Sequence, residues 1–400
     1  MQPLQQPIVK DLVFIGGGHS HAIALKMFGI KPLPGIRITL ISDVSHTPYS
    51  GMLPGHIAGF YNYDEAHIDL RSLAKFARAR LHLDRAVGLD LTNNRVICAN
   101  SSPIDFDILS IDIGSTPATI SVPGASELAI PAKPVPQFLH HWNQILEQTS
   151  QSTQNPVRLG IVGGGAGGVE LALAIQARLH DLHNLEIHLF QRGAEIMPQH
   201  NRYVRRKLQA IFSRRSIQLH LGETVSALEK LPEKRSDKSP PAIQEKLDKE
   251  ILVICNSGLT VECDRVFWVT NASAPKWLAE SGLSTDSAGF IQVQDTLQSL
   301  SHPHIFASGD IATNPRHPRP KAGVFAVRQG KPLFDNLQRF FLGKPLKPYK
   351  PQKQLLALIG TGTGEAIASR GSIGLGPYRL LWYWKDWIDR KFMAKFSDLQ

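Results

Sequence analysis

DLVFIGGGHSHAIALKMFGI, residues Asp11–Ile30, and VRLGIVGGGAGGVELALAIQAR, residues Val157–Arg178, carry the same local grammar twice in one chain. Each begins with an apolar run of strand length, passes through three consecutive glycines and continues as a helical pattern. The physical requirement behind such a turn is close approach. Glycine admits a pyrophosphate against backbone N–H groups, and the helix N-terminus behind the turn adds partial positive charge. One such loop is weak evidence for a nucleotide. Two, each placed between a strand and a helix, imply two dinucleotides held by one polypeptide.

Working outward from the first loop, Asp11–Ile15 reads as a buried strand, His19–Phe28 as a helix and Ile36–Ser42 as a second strand. This is a βαβ unit, and Asp43 at the end of its second strand is placed either to accept from an adenosine ribose or to form a simple turn. Ala86–Ile97 reads as a hairpin turning at Thr92, Asn93 and Asn94, and Ile104–Ile113 as a strand ending at Gly114. The prolines between Pro117 and Pro136 mark a crossover. Around the second loop, Val157–Val162, a helix from Ala166 to about His180 and Glu186–Phe190 repeat the unit. Glu229–Glu250 is dense in charge, proline and serine and reads as a solvated loop. Strands at Ile251–Cys255 and Arg265–Val269 follow, and Asn271 stands where a glycine turn is expected, a position Asn tolerates.

Composition narrows the classes. With 400 residues there is length for two or three cored domains. The net charge of +10 is spread along the chain, which favours phosphate-rich cofactors or anionic lipid over nucleic acid. Cys98, Cys255 and Cys263 form no CxxC and no close dithiol, which argues against a thiol relay and for a reducing setting, cytoplasmic or peripheral on the cytoplasmic membrane face. The N-terminal residues lack a signal-type apolar core, and no stretch is apolar enough to span a membrane. His19 and His21 invite a metal reading, but no third ligand lies near them in sequence.

HPHIFASGDIA, His302–Ala312, sets an apolar strand directly before Gly309 and Asp310. In a flavin-binding architecture that glycine permits backbone approach and the aspartate accepts from a ribityl hydroxyl. With both loops and the Gly114 turn in this order, the chain resembles the pyridine nucleotide-disulfide oxidoreductase superfamily, without the disulfide. Within it the chain looks like the type II NADH dehydrogenases. It is closer still to the oxidoreductase domains fused to selenide, water dikinase, through GGGHSH, YSGMLPG at Tyr49–Gly55 and KDWIDRKFM at Lys385–Met393.

The resemblance implies an α/β fold of two Rossmann-like dinucleotide-binding domains with a small C-terminal α+β extension. The FAD domain is discontinuous, at 8–120 and 272–345. The NAD(P)H domain is 150–271, and the extension is 346–400. FAD falls to Gly16, Gly18, His19 and Ser20, to Asp43, to Gly114, and to Gly309 and Asp310. Tyr49, Ser50 and Pro54 line its isoalloxazine, and Gly323 and Val324 open a helix near Ala322 aimed at its pyrimidine end. NADH or NADPH falls to Gly163, Gly165 and Gly168, with Glu170 on the nicotinamide side. Where an acid would recognise the ribose 2′-OH the chain has Gln191 and Arg192, and Arg192 suits a 2′-phosphate. No catalytic side chain is required, because the cofactors carry the hydride.

Two features depart from the pattern. His21 occupies the third glycine position of the first loop, where it packs less closely than glycine. Gly323, Val324, Arg328 and Gln329 stand where quinone-reducing relatives have an Ala-Gln pair and further glutamines, which leaves the electron acceptor open between a quinone and another small molecule. Finally, Gly376–Phe396 is basic and Trp-rich, with Leu380, Trp384, Ile388, Phe392 and Phe396 at four-residue spacing. It reads as an amphipathic helix that lies on an anionic membrane, docks on its own protein or forms a homodimer. An NAD(P)H dehydrogenase is the leading reading. A soluble reductase in a selenium or sulfur pathway and a non-enzymatic redox sensor are the alternatives.

Overall fold

The computed structural model describes residues 10–117, 122–151, 157–182, 184–231, 251–270, 272–397 and 399. In the first unit, β1 (Lys10–Ile15) leads into α1 (His19–Ile30) and β2 (Ile36–Ser42), followed by the short helix α2 (Leu53–Ile57), β3 (Arg80–Leu83) and β4 (Ile108–Ile111). β1 pairs in parallel with both β2 and β4. Its residues Leu12–Ile15 are buried without alternation, as expected of a strand covered on both faces. The expected single strand over Ile104–Ile113 is two. Ile104–Asp105 closes an antiparallel meander with Ala86–Asp90 and Arg95–Cys98, and β4 joins the parallel sheet after the break at Phe106 and Asp107. Asn94 turns the hairpin in the left-handed region, at φ 53°.

The second unit opens with β5 (Ala129–Pro131) and continues through β6 (Val157–Val162), α3 (Ala166–Arg178), β7 (Leu185–Gln191), α4 (Arg202–Arg214), β8 (Gln218–Leu221) and β9 (Arg265–Trp268). All five strands are parallel, in the order β5-β9-β6-β7-β8. The helix Val135–Gln151 packs Phe138, Trp142 and Ile145 into the same core as Leu159 and Ile161. A three-stranded antiparallel sheet covers the outer face. There Glu229 and Lys230 end the strand Val225–Lys230, so only part of the charged run reads as the solvated loop; its residues 232–250, like Asn271, lie outside the described residues.

The chain then returns. β10 (Ile305–Ala307) adds to β4 and completes the first sheet in the order β10-β4-β1-β2-β3, and α5 (Gly323–Phe341) packs along α1. Phe28 of α1 meets Phe334 of α5 edge to face at 4.8 Å, and burying each ring contributes about 1.5–3 kcal/mol. Three antiparallel strands, β11 (Ala357–Gly360), β12 (Ala366–Arg370) and β13 (Ile373–Tyr378), and the helix α6 (Arg379–Met393) form the extension.

That extension is bonded to both nucleotide units. Towards the second, Arg215 donates to the Thr361 carbonyl and Tyr203 to the Gly376 carbonyl. Towards the first, Tyr61 donates to Asp386 and Arg390 pairs with Glu65.

Candidate functional site

The first glycine loop lies between β1 and the start of α1. Gly16 has φ 88°, and a Cβ there would stand 2.4 Å from the Asp112 carbonyl oxygen; at Gly18 it would stand 2.3 Å from the Asp112 carboxylate. Side chains at either position would collide with β4's end. Gly18 is the N-cap of α1 and supplies no side-chain cap, so the helix presents uncapped N–H groups. One of them, Ser20 N, is taken by Asp112 Oδ2 at 2.9 Å. The Ser20 hydroxyl donates to the Ala326 carbonyl at 2.8 Å, tying α1 to α5. His19 differs: its Nε2 is buried and has no hydrogen-bond partner among the described residues. Burial holds the His19 pKa down at about 4, so its imidazole is neutral and retains one nitrogen for a ligand.

His21 explains its own departure from the pattern. It is fully buried; Nδ1 bonds the Gly16 carbonyl at 2.7 Å and Nε2 the Ser110 hydroxyl at 2.8 Å. Where a glycine would let helix and strand touch, this imidazole ties the loop to β4 by hydrogen bonds. Asp43 is exposed just past β2, where an acid can reach a ribose.

The floor of this site is the turn after β10. Gly309, at φ 68°, would set a Cβ 2.3 Å from Asp112 Oδ1. Asp310 faces Lys133, whose Nζ lies 3.0 Å from Oδ2, and the Ser115 hydroxyl lies 3.4 Å from the same oxygen. Gly114 has φ 70° and open space at its Cβ position. Gly323 is the first residue of α5, and Ala322, its N-cap, provides no side-chain cap. A Cβ on Gly323 would stand 2.7 Å from Ser50 Oγ, which brings the Tyr49–Ser50 turn against that helix start; Val324 beside it is exposed.

The second loop is tighter. A Cβ at Gly168 would stand 1.9 Å from the Gly163 carbonyl oxygen, and one at Gly163 2.7 Å from the Val269 carbonyl oxygen. Gly165 caps α3 with no side chain, and nothing lies within 4 Å of where its Cβ would stand, so the helix N–H groups are open to a phosphate. At the end of β7, Gln191 Oε1 accepts from Gly164 N at 3.0 Å, and Arg192 is exposed beside it. An amide and a cation therefore occupy the place of the usual acid.

Between the loops, Pro54, Gly55, Glu170, Gly360, Trp382 and Lys385 line one small cavity. Glu170, one turn into α3, accepts from Gly360 N at 2.8 Å instead of lying free along its own loop. Burial pushes its carboxyl above the usual range, opposed by the Lys385 charge and the Gly360 N–H. Lys385 donates to the Gly51 carbonyl at 2.7 Å and to Asp389 Oδ2 at 2.6 Å, and both charges are buried. The Tyr49 ring stacks on Phe392 at 4.5 Å and meets His19 edge-on at 5.3 Å. Sequence reading missed the roles of Lys385 and Asp389. Their i,i+4 spacing inside KDWIDRKFM was the available signal, and it looked like a solvated pair on an amphipathic helix.

The family model described as pyridine nucleotide-disulphide oxidoreductase matches residues 10–330, spanning both loops and the Gly309 turn. The chain belongs to this family. It is an oxidoreductase, a flavoprotein whose cofactors are FAD and NADH or NADPH, and the uncapped loop geometry with its orphaned His19 nitrogen fits them. Ferroptosis suppressor protein 1 of Mus musculus is 24% identical over 370 residues, covering 91% of this chain and 90% of that protein. Demethylphylloquinone reductase NdbB of Synechocystis is 26% identical over 286 residues, 69% of this chain and 64% of that one. Among solved structures, the sulfide:quinone oxidoreductase of Aquifex aeolicus superposes with a TM-score of 0.75 at 17% identity, covering 98% of this chain and 92% of the other. The family's disulphide has no counterpart among the described cysteines, since Cys98, Cys255 and Cys263 are all free and buried.

Proposed function

We propose that this chain is an NAD(P)H dehydrogenase of the type II NADH dehydrogenase kind, passing hydride to FAD and electrons on to a quinone. The observation that carries the reading is the shared cavity, where Pro54 of the first unit and Glu170 of the second face each other. A relative named as a quinone reductase supports the acceptor. In this reading FAD lies in the 8–120 and 272–345 unit and NAD(P)H in the 150–271 unit, with the 346–400 extension closing the gap between them.

Bound FAD supplies hydride acceptance and onward electron transfer. The chain supplies placement and charge. The first glycine loop and His19 hold the pyrophosphate, and the uncapped start of α5 favours negative charge at the pyrimidine end. Glu170, its carboxyl pKa raised by burial, lines the cavity with Lys385. Reduction of a quinone consumes two protons, and the Glu170 carboxyl is the acid in this cavity placed to relay one. Arg192, with Gln191 in place of an acid, favours NADPH over NADH.

The quinone comes from a membrane surface. Leu380, Tyr383, Trp384, Trp387 and Ile388 on α6 are exposed, together with Ile373, Leu375 and Tyr378 on β13. The basic residues Arg379 at the start of α6, Arg390 and Lys391 in its last turn and Lys395 just beyond it are exposed, which suits an anionic lipid surface. No described helix is long and apolar enough to cross a membrane. The four-residue stripe is not one face: Leu380 is 77% exposed while Phe392 and Phe396 are buried, because successive i+4 steps drift around the helix.

The deciding experiment is anaerobic bleaching of the flavin by NADPH or NADH, then reoxidation against a panel of quinones. Fast reoxidation by a quinone is expected. Slow reoxidation by every acceptor overturns the dehydrogenase reading in favour of a redox sensor, and preference for a selenium or sulfur compound favours the pathway reductase that the dikinase-domain likeness suggests.

A further inference from the structure

Beside the face of α5 that meets α1 lies a second cleft, which also borders the Gly309–Asp310 turn. Ser20 bonds α5 at Ala326, whereas Phe325 and Gln329, about a quarter-turn or less to the other side, line the cleft. It is a small cleft of about 40 Å³, open to solvent, between α5, the Gly309–Asn314 turn and the segment around Tyr349. Its polar lining is rich in cationic and neutral donors. Arg319, Lys321, His317, Asn314 and Tyr349 all face it.

Two donor atoms here have no partner, although the other nitrogens of the Arg319 guanidinium donate to the Pro318 and Pro351 carbonyls. Tyr349 Oη and Arg319 Nε are buried and bond nothing among the described residues. Leaving such buried donors bare is unfavourable, so they are arranged for something that is not protein. The nearby acid is engaged: Asp295 accepts from Asn314 at 2.8 Å and faces His317 at 3.6 Å. The charges of Arg328 and Arg319 both reach the Tyr349 hydroxyl, opposing the rise that its burial causes. Arg328, on α5, is exposed and near enough for its charge to act on the Tyr349 hydroxyl. It is one of the residues at which the chain departs from the glutamines of quinone-reducing relatives. Lys321 is held deeper, over the Phe290 ring at 3.9 Å, with its ammonium on the Ala312 carbonyl.

We infer that this cleft binds the oxyanion of a small acidic ligand, a carboxylate or a phosphate, between Arg319, Arg328 and the Tyr349 hydroxyl. Such an oxyanion accepts from both orphaned donors and offsets the local positive charge. The Asp310 carboxylate faces Lys133 and Ser115, so the oxyanion meets the backbone of that turn and not its acid. Gln329, which accepts from Gly309 N at 2.6 Å, joins the cleft wall to the floor of the first nucleotide site.

Calorimetric titration of the full chain, saturated with FAD and NADP⁺, with inorganic phosphate and separately with benzoate tests this. Both glycine loops are then filled, and binding is read without turnover, so a failed quinone assay leaves the result interpretable. At least one probe is expected to bind at one site, with phosphate alone or benzoate alone assigning the anion. Tyr349→Phe and Arg328→Leu should each weaken that binding about tenfold while the melting temperature stays within about 2 °C. Absence of binding by both probes, or unchanged affinity in both variants, overturns the assignment.

Discussion

Arg192 carries the sharpest test of coenzyme choice. Changing Arg192 to Glu replaces an exposed cation beside the second loop with the acid that a ribose 2′-OH prefers. The ratio of kcat/KM for NADPH to that for NADH should fall at least tenfold, equivalent to about 1.4 kcal/mol, in steady-state assays with both coenzymes. Asp112 makes a different kind of statement. Buried beneath Gly16, Gly18 and Gly309, it has its pKa pushed up from 3.8 to about 7, chiefly by desolvation. Between those values the folded protein binds more protons than the unfolded chain, so this residue's contribution falls as pH rises, by about 1.4 kcal/mol per unit. Urea midpoints of Asp112→Asn relative to the parent should therefore rise between pH 4 and pH 7 and level off above. A constant difference across that range would remove Asp112 from the titration. His21 shows where sequence stopped. The mismatch with glycine was visible, but its partner Ser110 lies 89 positions away, and only the parallel pairing of β1 with β4 brings them together.

The strand-loop-helix units were legible because their signals are local: apolar runs, glycines and helix periodicity all lie within one window. β6 occupies Val157–Val162 as its pattern predicts. β5 was not legible, since Ala129–Pro131 is three residues long in a proline-marked crossover and owes its strand state to pairing with β9. Packing contact in the second loop gives a direct prediction. Gly168→Ala would force a methyl to 1.9 Å from the Gly163 carbonyl oxygen. Loss of NADPH binding with FAD retained is expected, measured by fluorescence titration, with a stability cost of about 1–3 kcal/mol. On α6, Leu380, Trp384 and Trp387 point outward, so replacing all three by Ser should abolish flotation with anionic vesicles. Turnover with a water-soluble quinone should be unchanged, and flotation equal to the parent's would separate α6 from the lipid.

The extension holds the two nucleotide units in one arrangement, and its central fastening is the buried Lys385–Asp389 pair on Gly51. Removing one charge strands the other. Lys385→Met should cost about 3–5 kcal/mol in denaturant unfolding, and Lys385→Met with Asp389→Leu should recover much of it. A double variant no better than the single would show that the Gly51 carbonyl contact, not charge pairing, is what matters. The likeness of fold covers nearly the full chain, yet it says little about the acceptor, because the positions that differ, Gly323, Val324 and Arg328, line surfaces whose ligands are set by side chains rather than by topology.

The order of strands in the first sheet has a consequence for biosynthesis. β10 pairs beside β4, but the ribosome delivers it only after the whole second unit has been translated. Until then Ile108–Ile111, three of its four residues apolar, forms a bare sheet margin on a half-made protein. Growing chains are thus most prone to stick to one another during that interval, and a chaperone that shields nascent β-edges would have its clearest client here.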